Sequence, residues 1–388
     1  MTIMQDLTRI WHIVTTRRTS REVARDPSRA RRTGLAGVAL VSTLALSGCG
    51  GIYFENTKPV LPTLSVDEQM FQDTVRQDLL IEQSARDLAQ ETIDDCNSCS
   101  DVLTAIADHS IERSQVLGGL WEPWPAGPPS DAPTLPALPE PYPDAHIVAR
   151  RAVESGITVL HSIDTLDDMD DRIAVSAVAL GRIADGLRLA DALGISGSEV
   201  DTWVSPAFGL ADATPSSLTD EAKSDLATAI AGWDCATQLI PLYTAGPDSA
   251  DGPSWTEYHG QEQTEKLLTL TANLLALDVP DERIPSCIGA FEHDLKDADV
   301  ASPVDEIEQR LLSVSLTLFI KHPNLVLPLA QEESVRPLGF AQLIETLRYW
   351  NQLGAVPAVP GITITSDDSS DTAVEDAETG TPGDSDGR

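Results

Sequence analysis

The sequence predicts an all-α protein, and three observations support this. Apolar residues recur every three or four positions through most of the chain, which is the period of a helix with one buried face. Only 5% of the residues are aromatic, while Ala, Leu, Asp and Glu abound, and this balance favours helices over sheets of aromatic and β-branched residues. Strict alternation of apolar and polar residues, which is the pattern of a strand, is found in the short stretch 361–365, and this stretch leads directly into the C-terminal tail. The sequence therefore gives little indication of strands.

The overall charge excludes one class of function. The 388 residues include 26 Lys and Arg against 61 Asp and Glu, a formal net charge of −35. Such a chain is repelled by phosphates, so we expect no nucleic-acid partner. Hydrophobic residues make up 41% of the chain, enough for a buried core in one large domain or two modest ones.

The first fifty residues have the parts of an export signal. Residues 34–47 carry no charge, follow the basic residues Arg29, Arg31 and Arg32, and precede Gly48 and Cys49. Fourteen residues are too few for a membrane-spanning helix, which needs about 20. A basic region, a short apolar region and small residues at its end are typical of a secretory signal peptide.

The signal ends in Leu46-Ser47-Gly48-Cys49, which resembles the lipobox of bacterial lipoprotein precursors. The resemblance implies that residues 1–48 are a signal peptide, that a diacylglyceryl group is transferred to the Cys49 thiol, and that cleavage makes Cys49 the first mature residue. The expected location is the extracytoplasmic face of the cell membrane, with membrane lipid as the partner of acylated Cys49. The alternative is a plain secretory signal that happens to contain a cysteine.

Removal of residues 1–48 makes the chain more acidic. This segment holds eight basic and three acidic residues, so 18 basic and 58 acidic residues remain, a net charge of −40. Such a surface repels anionic head groups, and acyl chains would have to hold the protein at the membrane. Residues 49–65, with two prolines and no clear period, are interpreted as a lipidated tether.

Four cysteines follow Cys49 in a chain expected to leave the cytoplasm: Cys96, Cys99, Cys235 and Cys287. Three pairings are possible. The economical one joins Cys96 to Cys99 within a turn and Cys235 to Cys287 across a long loop, where loop closure contributes roughly 4 kcal/mol. A thioredoxin-like redox motif at Cys96-Asn-Ser-Cys99 requires surrounding β-α-β elements, which the sequence does not predict.

The mature chain divides into segments of different character. Residues 66–121 are interpreted as a helical hairpin, with helices over 66–92 and 101–117 and an end at Gly118 and Gly119. Nine prolines fall in the connector 122–143, which is either an extended spacer or a docking strip for a partner. Residues 144–356 form a larger helical domain, and 357–388 an acidic, disordered tail with eight acidic residues from Ser366 onward.

The larger domain contains at least seven expected helices. Two span 144–160 and 170–193, and helical spacing returns at 226–240, 267–277 and 284–295, where Pro285 is tolerated only in a first turn. Ser302 as cap, Pro303 at the first position and Asp305 three residues after the cap open the next helix. The last covers 340–350 and stops at Gly354, whereas the pattern is broken over 194–217.

One group of polar residues interrupts the apolar faces of the hairpin. On a helical wheel Asp78 and Glu82 fall within the apolar face of the first helix, and His109 and Arg113 fall within that of the second, with Glu112 at its edge. An antiparallel hairpin would bring these side chains together across the seam. The cluster is either an internal ion-pair network, because buried charges must be paired, or a metal or ligand site.

The helix pattern broadly resembles ferritin-like bundles, including those of exported actinobacterial proteins that carry no metal. Di-iron sites in such bundles use Glu-x-x-His, whereas this chain has the reverse order in His109-Ser-Ile-Glu112. The sequence therefore predicts no bound metal and no other cofactor.

Three hypotheses of function follow. The first is a binding or interaction protein of the cell envelope, with an envelope protein as a possible partner. The second is an enzyme or metal-binding protein that uses the Asp78, Glu82, His109 and Arg113 cluster. The third is a structural factor for envelope assembly. The chain has no Gly-x-Ser-x-Gly elbow, phosphate loop, His-Glu-x-x-His or EF-hand loop, which favours the first hypothesis over the second.

Overall fold

The computed structural model describes residues 59–91, 93, 96–124, 127–204, 217–243, 257–297, 302–327, 337–354 and 356–361. Over these residues it contains ten α-helices and no strand, which confirms the predicted all-α class. The helices are α1 Val66–Leu88, α2 Cys99–Val116, α3 Ala145–His161, α4 Met169–Ala192, α5 Gly197–Val204, α6 Asp220–Tyr243, α7 Glu257–Leu275, α8 Ile288–Asp297, α9 Pro303–Lys321 and α10 Leu338–Leu353. None of these helices is long and apolar enough to cross a membrane.

Helices α1 and α2 form an antiparallel hairpin. α1 opens with a capping box, in which the Ser65 hydroxyl accepts a hydrogen bond from the Glu68 amide and the Glu68 carboxylate accepts one from the Ser65 amide. α2 ends before Gly118 and Gly119, whose φ angles of 89° and 71° are unfavourable for residues with a side chain. The Gln72 amide donates to the Gly119 carbonyl at 3.1 Å, so the start of α1 lies beside the end of α2.

Helix α4 lies at the centre of the core that the hairpin shares with α3. Every residue from 175 to 187 of α4 is buried. Two glycines let α3 and α4 approach closely: a methyl group on Gly186 would lie 2.7 Å from the Ala149 carbonyl oxygen, and one on Gly156 would lie 2.7 Å from the Ala179 carbonyl oxygen. Small residues at these crossings set the distance between the helices.

A second hydrophobic cluster is built mainly from α6 to α9. Its largest side chain is Trp233 of α6, which is fully buried and donates its indole N–H to the Ser315 hydroxyl of α9 at 3.2 Å. α9 and α10 contribute to both clusters, because Leu311 and Leu338 belong to the second and Phe319 to the first. These two helices connect the two cores.

The cysteines pair in the economical way. Cys96 is bonded to Cys99 at the start of α2, and Cys235 of α6 is bonded to Cys287 directly before α8, with Cα atoms 5.5 and 5.6 Å apart. The second bond closes a 52-residue separation and holds α8 against α6. Cys49 lies outside the described residues.

The Pro-rich connector lies against α1. Arg76 donates to two consecutive carbonyls of the connector, at 3.1 Å to Pro136 and 2.6 Å to Ala137. Farther along, the Ser84 hydroxyl accepts a hydrogen bond from the Tyr142 amide at 2.9 Å. Two turns of the connector are closed by the Gly127 and Ala132 amides. Side chains of α1 fix its extended part, and the connector forms part of the protein body.

Two details of the larger domain differ from what the sequence pattern indicates. The helical pattern is broken over 194–217, yet α5 lies within this stretch and buries Trp203. A helix of eight residues offers too few apolar repeats to be recognised. Ile284, expected on the face of α8, lies before that helix and is 45% exposed, because Pro285 cannot sit inside the helix.

The predicted start of the tail at residue 357 was too early. Val356, Ala358 and Val359 are almost fully buried. The backbone of this segment lies so close to α4 that a methyl group on Gly181 would collide with the Ala358 carbonyl oxygen. The acidic tail from Ser366 lies outside the described residues.

We predict that the two parts of the C-terminus contribute differently to stability. A chain ended after Gly354 loses the buried segment 356–361 and should melt several degrees lower than the full chain. A chain ended after Thr365 keeps that segment and should melt within about a degree of the full chain, because residues so rich in Asp and poor in apolar groups offer little to bury. Calorimetry of the three chains makes the comparison, and equal melting temperatures for the two truncations would contradict it.

Candidate functional site

A buried carboxylate, Asp78 of α1, lies at the centre of an ion-pair network. Its Oδ1 accepts from Nε of Arg113 on α2 at 2.9 Å and from Nε of Arg182 on α4 at 3.1 Å. Its Oδ2 accepts from Nη2 of Arg182 at 2.7 Å. All three side chains are 0% exposed. One carboxylate therefore joins three helices.

The network continues to a second carboxylate, Asp185 of α4. Arg113 donates from Nη1 to Asp185 Oδ2 at 2.7 Å and from Nη2 to the Ser110 hydroxyl at 2.9 Å. His109 of α2 places Nδ1 2.9 Å from the other oxygen of Asp185 and is the most exposed member, at 19%. Two carboxylates and two guanidinium groups thus balance one another, with His109 at the edge.

The surroundings of Arg113 explain how it stays charged in the core. Burial lowers the pKa of the guanidinium, but the charges of Asp185 and Asp78 and their hydrogen bonds outweigh it and raise the pKa above its usual value. A buried charge is tolerated only when it is paired in this way.

The structure brings together three of the five residues proposed from the sequence: Asp78, His109 and Arg113. Glu82 instead pairs with Arg86 on its own helix at 2.6 Å, and Glu112 is exposed. The expected contact of Glu82 with Arg113 was therefore wrong.

The register of the hairpin explains this error. In an antiparallel pair, each turn toward the end of α1 meets a turn nearer the start of α2. Arg113 lies opposite Asp78, and two turns farther along α1 Arg86 reaches Asp108, which lies nearer the start of α2, at 3.5 Å. Glu82 therefore has Arg86 as its cation.

Sequence reasoning missed the two network members on α4, Arg182 and Asp185. A usable signal is present: residues 175–187 contain these two charges and otherwise only apolar or small residues. A helix that is apolar on all sides is buried, so its charged residues must find partners on neighbouring helices.

No arrangement for a metal ion is found in the part of the chain that the structure describes, because no three His, Cys, Asp or Glu side chains are grouped to hold one. The carboxylate oxygens of Asp78 and Asp185 are directed at guanidinium and imidazole nitrogens. The cluster has the chemistry of an internal salt-bridge network.

A cleft of about 970 Å³ lies next to this network, between α1 and α3. Its walls include apolar side chains from four elements: Met70 and Leu80 of α1, Tyr142 of the connector, Ile157 and Val159 of α3, and Trp203 of α5. A volume of this size is at the upper end of the range for small-molecule sites.

Polar groups at the floor of the cleft are tied to the network. Arg182 donates from Nη2 to the Thr74 carbonyl at 2.9 Å and from Nη1 to the Ser155 hydroxyl at 3.4 Å. Thr74, Ser155 and Arg182 all line the cleft. Because Arg182 is covered by the protein and Ser155 is half-buried, the Ser155 hydroxyl is the more accessible of the two donors.

The rim of the cleft carries charges of both signs. Asp73 of α1 and Glu154 of α3 line it, as does Arg151, whose Nη1 lies 3.2 Å from Glu154. Arg150 Nε also lies 3.7 Å from Glu154, so two arginines share this carboxylate, and Asp73 adds a further negative charge to the entrance.

No protein-family model matches the chain, and neither curated proteins nor solved structures gave a significant match. The geometry of the cleft and network is therefore the basis for assigning a function.

We predict that Asp78→Asn destabilises the protein by roughly 3 to 5 kcal/mol, because it leaves two buried guanidinium groups with one charged partner. Glu82→Gln, one turn away on the same helix, is the matched control and should leave the free energy of unfolding nearly unchanged, since its pair with Arg86 is on the surface. Urea denaturation of both variants tests this. Equal effects would show that the network does not stabilise the hairpin.

Proposed function

We propose that the protein is a lipid-anchored binding protein on the extracytoplasmic face of the cell membrane, and that the cleft between α1 and α3 is its binding site. The observation that supports this best is the cleft itself: about 970 Å³, with most of its exposed surface apolar and with Ser155 and Arg182 among its ten polar lining residues. An apolar surface with placed polar groups is the usual composition of a site that takes a small organic ligand.

The anchor in this proposal is Cys49. It rests on the apolar segment 34–47 and on the resemblance of Leu46-Ser47-Gly48-Cys49 to a lipobox. The mature net charge of −40 supplies no attraction to an anionic membrane surface, so the proposal requires the acyl chains. Two or more chains provide stable anchoring, whereas one provides weak binding.

The polar cluster supports a structural role better than a catalytic one. A catalytic acid or base needs a proton or lone pair directed at the substrate. Asp78 and Arg113 are 0% exposed and directed at each other, and Asp185 is 4% exposed. The arrangement of these residues therefore gives no support to the enzyme hypothesis. It favours the binding hypothesis, because the network holds the floor of the cleft in place.

We predict that Cys49→Ser releases the protein from the membrane without unfolding it. The residue contributes a thioether to lipid and precedes the first described residue by ten positions. Metabolic labelling with a fatty-acid analogue, together with membrane fractionation, measures the effect. Label that persists on the variant would contradict lipidation at Cys49.

We predict that Thr158→Trp removes a ligand that wild-type protein carries from its own membranes. Thr158 is exposed on α3 and lines the cleft, so a tryptophan there occupies part of its volume. Thr104→Trp is the matched control, because Thr104 is likewise exposed, on α2. The hydroxyls of Thr104 and Thr158 each donate to the carbonyl four residues earlier in the chain, at 2.8 Å. Native mass spectrometry should show the ligand on wild type and on Thr104→Trp. Equal ligand on both variants, or on none of the three proteins, would contradict the proposed site.

A further inference from the structure

We infer that the cleft binds a single-chain lipid with an uncharged acyl ester, with the ester carbonyl hydrogen-bonded to the Ser155 hydroxyl and the hydrocarbon chain against the apolar wall. This inference rests on the proposed binding function and adds the class of ligand. It follows from three properties of the cleft: its donor, its wall and its charge.

The donor is Ser155, half-buried on α3. Its oxygen accepts from Arg182 Nη1 at 3.4 Å, which leaves the hydroxyl proton to donate. That proton is directed at the Ala152 carbonyl at 3.3 Å, a long contact on its own helix. A ligand carbonyl in the cleft would accept the same proton at a shorter distance, and the positive charge of Arg182 behind the hydroxyl makes it a better donor.

The wall favours a flexible hydrocarbon chain. Met70, Leu80, Val159 and Trp203 come from three helices and present aliphatic and aromatic groups to one space. Binding energy there grows with the apolar area removed from water, which an acyl chain supplies along its whole length. The cleft is open rather than closed, so a long chain can enter from the side.

Charge excludes the commonest anionic head groups. The rim carries Asp73 and Glu154 against Arg151, and Arg182 already shares the charge of Asp78. A carboxylate or phosphate approaching Ser155 would pass two carboxylates on a strongly acidic protein. An ester accepts the same hydrogen bond without this repulsion.

The anchor places the cleft near a source of such lipids. Val66, the first residue of α1, lines the cleft and follows Cys49 by 17 positions. Even fully extended, at about 3.5 Å per residue, the intervening chain holds Val66 within about 60 Å of the anchored cysteine. The cleft is thus kept at the membrane surface.

The test uses the full chain carrying Cys49→Ser, stripped of ligand by solvent extraction. Equilibrium dialysis measures binding of three probes: 1-monopalmitoylglycerol, its ether analogue 1-O-hexadecylglycerol, which lacks the carbonyl, and palmitate. We expect the ester to bind about fivefold more tightly than the ether, as one hydrogen bond allows, and palmitate to bind more weakly than the ester.

Variants on this background locate the site. Ser155→Ala should reduce the affinity for the ester about fivefold and leave that for the ether unchanged. Thr158→Trp should reduce both at least tenfold, and Thr104→Trp neither. Ester binding that is indifferent to Ser155→Ala, or tighter binding of palmitate, would overturn the inference.

The inference and the proposed function fail in different ways. If wild-type protein carries a peptide or a water-soluble molecule that Thr158→Trp removes, the cleft is a binding site and the lipid assignment is wrong. If the protein carries no ligand and none of the three probes binds, both are wrong.

Discussion

Two guanidinium groups share one carboxylate in the interior, and the arrangement of α1, α2 and α4 depends on that contact. Asp78 cannot be solvated where it lies, so Arg113 and Arg182 must stay in place around it. Because the three residues belong to α1, α2 and α4, the contact fixes the hairpin on the central helix. Hydrophobic packing alone is non-directional and would tolerate other registers. The ion pairs make those registers costly, since each would leave a charge in the core without a partner.

The same contact positions the cleft. Arg182 binds Asp78 with one edge and reaches the Thr74 carbonyl and the Ser155 hydroxyl with its two Nη atoms. Its planar guanidinium group thereby connects α4 to both helices that form the cleft. The connector completes the wall with Pro139 and Tyr142, and Arg76 of α1 holds the connector by donating to two of its carbonyls. The site therefore has a rigid floor and wall, and a ligand would lose little affinity to ordering the protein.

The sequence predicted the features that have a local cause. The helical period, the Ser302 cap with Pro303, and the glycines that end α2 are all present as expected. Even there, tertiary structure changed one role: Asp305, expected to complete the cap, accepts the Trp350 indole N–H at 2.9 Å.

The helical wheel also found Asp78, His109 and Arg113, because a polar residue on an apolar face must have a partner. It could not identify Arg182, 104 positions from Asp78, because which helix supplies the partner depends on packing between distant segments. The sequence could not predict the docking of the connector on α1 for the same reason, since Arg76 and Pro136 are 60 positions apart.

The distribution of charge bears on what the protein can bind. Only 18 basic residues follow residue 48, and two of them, Arg113 and Arg182, lie in the interior with two aspartates. This network is balanced, so the excess of acidic groups lies outside it. Lys266, a cation at the surface, lies 2.6 Å from Glu345 and 3.2 Å from Glu262. Burial lowers its pKa, but the hydrogen bonds and charges of Glu345 and Tyr349 outweigh burial and raise the pKa above its usual value. Arg151 at the rim of the cleft already faces Glu154, and Arg76 of α1 donates to carbonyls of the connector. For the proposed ligand we therefore expect affinity from apolar contact and from neutral hydrogen-bond acceptors rather than from negative charge.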